Sequence, residues 1–166
     1  MLLWGNRLAT SATTVRRDYL DKHNLRFNQS ADYVIVEDYD MWLRCAFYDG
    51  KFIFINEILG DYTLEYDNIS SNYEKYRHNF SVMLKNHVYS LQLFEVNKER
   101  LWNKIQARIL LGDFKHSIVD KKYLSAVYYL FASLKSSPAV FVFYSYLRGY
   151  KRVSDAVKNK YFICQG

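Results

Sequence analysis

One proline, Pro138, and six glycines in 166 residues leave this chain few places to turn, and that limits its fold before anything else does. Sixteen tyrosines and eleven phenylalanines must be accommodated with little loop to hold them. Aromatic packing on helices is therefore the expected way to build the interior. Half of the residues are apolar, as in a globular chain with a core of its own, which excludes a disordered tail.

The net charge of +6 is divided unevenly. Residues 1–97 hold 10 Lys/Arg against 13 Asp/Glu, whereas residues 98–166 hold 13 against 4. A basic second part suits nucleic acid, anionic lipid or a phosphorylated substrate, and charge alone does not choose among them. Two cysteines, Cys45 and Cys164, give neither a disulfide framework nor metal-ligand spacing and fit a reducing compartment. The apolar cluster in residues 1–7 is too short for the core of a signal peptide, so a cytoplasmic location is expected. His23, His78, His87 and His116 are scattered without an i, i+4 pair, and they read as surface or partly packed residues rather than a metal cluster.

The segment running from Val34 to Gly50 is the most informative. Its carboxylates gather at the start, apolar residues recur three and four apart, and Gly50 closes it in the manner of a helix-ending glycine. A short helix with an acidic N-terminus is expected. A polar helix should precede it over residues 16–24. The apolar run Phe52-Ile53-Phe54-Ile55 within residues 51–56 reads as a strand buried on both faces, with another strand at residues 60–64. Beyond Asn72 the pattern predicts long helices over residues 73–96, 98–111 and 123–134, and a fourth running from Pro138 toward Tyr150. Leu101, Ile105 and Ile109 mark a core-facing stripe. The expected architecture is thus a mixed α/β first part with few strands, residues 1–75, and an all-helical basic second part, residues 76–166.

Glu37-Asp38-Tyr39-Asp40 places three carboxylates within four positions. A carboxylate held at a cleft edge can take a proton from a substrate hydroxyl. Acidic residues at a helix start are also common caps and dipole partners, and these four residues alone do not separate the two roles.

Their surroundings resemble the second half of family 2 (GT-A type) glycosyltransferases. The residues carrying the resemblance are Asn6, Thr10-Ser11, Arg16-Arg17, the exit Asn24 to Asn28, and Glu37-Asp38-Tyr39-Asp40-Met41-Trp42-Leu43-Arg44, in that order and at fitting spacing, across roughly residues 1–72. The resemblance implies a partial GT-A-like α/β fold and an inverting sugar transfer from a nucleotide-sugar donor to a glycan or lipid-linked acceptor, in surface polysaccharide or lipopolysaccharide synthesis. It implies Asp38 as general base and Glu37 as the residue that binds the acceptor or orients the base. Thr10, Ser11, Arg17, Trp42 and Arg44 are the further substrate contacts it offers, although Asp40, Trp42 and Arg44 suit packing and pairing of the helix on their own chemistry. A divalent cation, magnesium or manganese, is implied as cofactor. Glu65 is its one candidate ligand here, because relatives carry a histidine in the corresponding segment and this chain has Tyr62-Thr63-Leu64-Glu65. Asp38-Tyr39-Asp40 matches a D-x-D pattern formally, but the family's D-x-D ends an early strand of the donor half.

No strand-rich nucleotide-binding region precedes Asn6 and no glycine-rich phosphate loop occurs. The expectation is a fragment, one piece of a split enzyme or a degenerate remnant, inactive by itself. The basic second part offers other readings. Tyrosines 123, 128, 129, 144, 146 and 150 beside Lys121, Lys122, Arg148, Lys151 and Arg152 have the character of helices that seek the cytoplasmic membrane surface. Packing on the first part or on each other accounts for them equally well. A non-catalytic module binding nucleic acid is the alternative from another class, and no recognised nucleic-acid motif supports it.

Overall fold

The structure is a computed structural model that describes residues 2–57, 72–144 and 146. By internal packing the chain forms two compact units, Met1–Lys98 and Glu99–Gly166.

In the first unit the polar segment after Arg16 forms a short helix, α1 (Arg17–Lys22), and the acidic segment forms α2 (Glu37–Phe47). The apolar residues of α2 bury as their spacing demands: Met41, Trp42 and Cys45 join Leu25 in one cluster, with Leu8, Val15, Tyr19 and Leu20 packed on it. Tyr39, 2% exposed, stacks on Phe80 with ring centroids 5.8 Å apart and donates its hydroxyl to the Leu2 carbonyl. The helix ends differently from its sequence reading. Asp49, not Gly50, takes the left-handed conformation, with φ of 58°. Gly50 is needed for closeness instead: a Cβ there would lie 2.8 Å from the Cys45 carbonyl oxygen and 2.9 Å from the Tyr19 hydroxyl.

Asn72 caps the next helix, α3 (Tyr73–Asn86), by accepting the Lys75 N–H at 3.0 Å. A π-helical turn, His87–Leu91, continues it. Met83, Leu84 and Val88 are fully buried. Asn79 of α3 donates to the carbonyls of Ala31 (3.1 Å) and Val34 (2.9 Å), pinning the loop that leads into α2.

The expected α/β character is not found. Among the described residues there is no strand, and the architecture is helical throughout. Residues 51–56, expected as a strand buried on both faces, form neither helix nor strand, with Ile53 88% and Phe54 86% exposed. The physical reason is that a strand exists only through its neighbours, and the described residues offer this apolar run no strand to pair with. The second expected strand, residues 60–64, lies outside the described residues.

The second unit is built from α4 (Lys98–Val119), α5 (Tyr123–Ser136) and α6 (Pro138–Tyr144). Leu101 and Ile105 of the expected stripe are buried, with Ala107 and Leu111, and α4 runs eight residues beyond its predicted end. Lys121, at φ of 59°, closes α4 in the left-handed conformation, and the Lys122 N–H reaches the Ser117 carbonyl at 2.8 Å. Ser133, fully buried, donates to the Ala107 carbonyl at 2.8 Å, so α5 folds back along α4. No single helix among the described residues is long and apolar enough to cross a membrane.

Candidate active site

Three side chains from two distant stretches of the sequence, Asn6 and Thr10 on one side and Asp38 on the other, meet at the start of α2. Asp38 Oδ2 accepts the Thr10 hydroxyl at 3.0 Å and the Asn6 amide at 3.4 Å, while its Oδ1 takes the Tyr39 N–H at 2.6 Å. Asn6 is itself steadied, because its Oδ1 accepts the Leu8 N–H at 3.1 Å. A carboxylate offers about four acceptor sites, so three donors fix its direction and leave room for one more. Glu37, next to it, has its Oε2 shielded from solvent with no hydrogen-bond partner among the described residues. A shielded carboxylate oxygen without a partner is costly unless something else supplies a donor.

These groups open onto a cavity of about 520 Å³. Thr10, Glu37 and Asp38 form its polar floor. The loop after α1 contributes Phe27, Asn28 and Gln29, and the turn before α2 contributes Val34 and Ile35. Ile35 has φ of 76°, a conformation that a β-branched residue adopts only under constraint, at a cost on the order of 1–3 kcal/mol. The constraint is visible: Asn79 holds the Val34 carbonyl on one side, and Val36, 1% exposed, is locked in the interior on the other. This turn aims Glu37 and Asp38 at the cavity while Tyr39 and Asp40 point into the core.

Asp40 therefore serves a different purpose from Asp38. It is 2% exposed, its Oδ2 pairs with the Arg44 guanidinium at 2.8 Å, and its Oδ1 meets His87 Nε2 at 2.8 Å. Arg44 also donates to the Arg26 carbonyl at 2.5 Å. The triad ties α2 to the π-turn after α3 and to the α1 exit. His87, read from sequence as a surface or partly packed residue, is instead a buried partner of this triad.

The other expected contacts are distributed away from the cavity. Ser11 is exposed on the turn beside Thr10. The Arg17 side chain is 94% exposed, 3.7 Å from Asp21. Trp42 is 3% exposed within the core cluster. Glu65 lies outside the described residues. The D-x-D match does not form a chelate, since Asp38 faces the cavity and both oxygens of Asp40 are occupied in the interior. Among the described residues no group of three or more metal-ligating side chains comes together. The described residues around Asp38 therefore offer no divalent-cation site of their own.

Compared with known proteins, the chain matches no protein-family model, no curated protein and no solved structure.

Two further groups behind the site have altered acidity. Burial pushes the Cys45 thiol up, so it is inert rather than nucleophilic. Burial also raises the Tyr19 hydroxyl, which donates to the Cys45 carbonyl at 2.7 Å. Sequence reasoning passed over Asn79, whose amide binds loop carbonyls 45 and 48 positions away. It also passed over Phe27, Asn28 and Gln29 as cavity residues, although the exit Asn24 to Asn28 contains two of them.

Proposed function

We propose that the first unit is the acceptor side of an inverting glycosyltransferase, with Asp38 as general base. The observation that carries this reading is that Asn6 and Thr10 both donate to Asp38, with Thr10 and Asp38 lining the cavity. They come from two separate pieces of the sequence pattern that resembles family 2 glycosyltransferases, and nothing in the local sequence requires the two pieces to touch.

The chemistry follows from the geometry. An acceptor hydroxyl entering the cavity donates to the remaining acceptor site on Asp38, and a neighbouring hydroxyl of the same acceptor can donate to Glu37. As the hydroxyl oxygen attacks the anomeric carbon of a nucleotide sugar, its proton passes to the Asp38 carboxylate, the bond to the diphosphate breaks, and the diphosphate leaves with the electron pair. Thr10 and Asn6 hold the carboxylate still, which lowers the ordering needed at the moment of transfer. Donor binding, with the divalent cation that accompanies a diphosphate, belongs to an α/β partner region acting with this one. The product would be a surface polysaccharide or lipid-linked glycan.

The test is a sugar-transfer assay of the chain assembled with a nucleotide-sugar-binding α/β region. Asp38→Asn should lower kcat by about 10²–10⁴-fold. Wild-type turnover in this variant removes the assignment.

We further infer that the chain works at the cytoplasmic face of a membrane, favoured by an inversion on α5. Small residues, Ala126 and Ser133, occupy its buried face, while Leu124 (91% exposed), Val127, Tyr128 and Phe131 point outward. Lys121, Lys122 and Lys135 flank that apolar face. An outward apolar stripe bordered by cations suits the boundary of an anionic bilayer.

A further inference from the structure

The cavity at the tip of α2 has a wall that takes no part in proton transfer. Phe27 lies on the loop leaving α1, outside the core cluster, and its residue is 47% exposed. Asn28 and Gln29 follow it along the same wall. Asn28 spends its Oδ1 on the Ser30 N–H at 3.0 Å, which fixes the side chain and leaves the Nδ2 donors for a ligand. Val34 and Ile35 add apolar surface, and Ile35 is held there in a strained conformation.

Charge narrows what such a cavity accepts. Two carboxylates line it, and among the described residues no lysine or arginine does. Phosphate, carboxylate and nucleotide ligands are repelled. Cations and neutral polyhydroxylated rings remain, and the ring suits the whole lining better, because it has an apolar C–H face for Phe27 and hydroxyls for the Asn28 and Gln29 amides as well as for the carboxylates.

We propose that Phe27, Asn28 and Gln29 form a recognition subsite for a neutral pyranoside. The phenyl ring stacks on the C–H face of the sugar, the two amides bond ring hydroxyls, and a further hydroxyl is thereby delivered to Asp38. The direction of delivery rests on the acceptor-side reading given above; the binding itself needs no donor.

Saturation-transfer NMR on the full 166-residue chain tests it, with the methyl β-glycosides of glucose, galactose and mannose as probes and choline chloride as a cationic control. At least one glycoside should receive saturation from the wild type, and Phe27→Ala should weaken that binding about tenfold while Phe27→Trp keeps it. Gln29→Ala, at an exposed position, should weaken it several-fold and stands in if circular dichroism shows Phe27→Ala to be unfolded. The proposal is overturned if no glycoside responds, if both alanine variants bind as the wild type does, or if choline binds in preference to the sugars. Loss of transfer in Asp38→Asn together with any of those results leaves the base assignment standing and removes the subsite. Glycoside binding governed by Phe27 alongside full turnover in Asp38→Asn does the reverse.

Discussion

Thr10 Oγ1 donates to Asp38 Oδ2 at 3.0 Å across 28 positions of sequence. This contact turns a capping-type carboxylate into an aimed one. Thr10→Val keeps the shape and removes the donor, and a hydrogen bond to a charged group is worth about 1.5–3 kcal/mol. In the sugar-transfer assay of the proposed assembly, kcat should fall about ten- to a hundredfold in Thr10→Val and stay near wild type in Thr10→Ser. Equal rates in the two variants would show that the hydroxyl does not position the base.

Asn79 clamps the turn that carries Ile35, so its removal should release both the loop and its strain. Asn79→Leu leaves the Ala31 and Val34 carbonyls without their donor, and the stability measured by urea unfolding should drop by about 1–3 kcal/mol. Turnover should fall as well, because Glu37 and Asp38 lose their fixed direction. An unchanged unfolding midpoint would remove Asn79 from this role.

The helix at Glu37–Phe47 was legible because its determinants are local: acidic residues at its start and apolar residues three and four apart. The same holds for α4 and α5, and for α3 as far as its π-turn, which ends at Leu91 where the pattern predicted helix to residue 96. The sheet was misread because an apolar run such as Phe52–Ile55 looks alike whether or not another strand is available to pair with it, and pairing is not a local property. His87 and Asn79 escaped notice for the same reason. Each is a polar residue on a helix whose partner sits 45 or more positions away, and no periodicity marks such a pair. The family-like pattern identified Asn6, Thr10 and Asp38 in sequence, but their hydrogen bonding required the fold.

Alkaline pH should weaken the first unit. Burial raises the Cys45 thiol above its ordinary value of 9.0 and the Tyr19 hydroxyl above 10.0. Once pH passes 9.0 the unfolded chain gives up these protons while the folded chain keeps them, so the unfolded state binds fewer protons and stability declines with rising pH. The contribution is whole below pH 9.0 and is lost as pH climbs through the raised values. Denaturant midpoints between pH 7 and pH 11 should show this decline, and Cys45→Ala should flatten its first part. A profile identical in wild type and Cys45→Ala would contradict the assignment.

Membrane attachment should depend on the outward face of α5. Co-sedimentation with vesicles containing phosphatidylglycerol should occur at low salt and weaken as salt rises. Phe131→Glu, at a position 65% exposed, should abolish it without changing the helix content. Equal sedimentation of wild type and variant removes this surface from consideration.

Neighbouring carboxylates with separate duties are the core of the functional reading, with Asp38 turned to the cavity and Asp40 sealed between Arg44 and His87. Measuring kcat and thermal midpoint side by side for Asp38→Asn and Asp40→Asn tests that division most directly. Asp38→Asn should lose turnover by at least about a hundredfold with its midpoint kept. Asp40→Asn should melt at a distinctly lower temperature, because neutralising one member of a buried ionic cluster leaves Arg44 uncompensated. Full turnover in Asp38→Asn, or lost turnover in Asp40→Asn at an unchanged midpoint, would contradict the account.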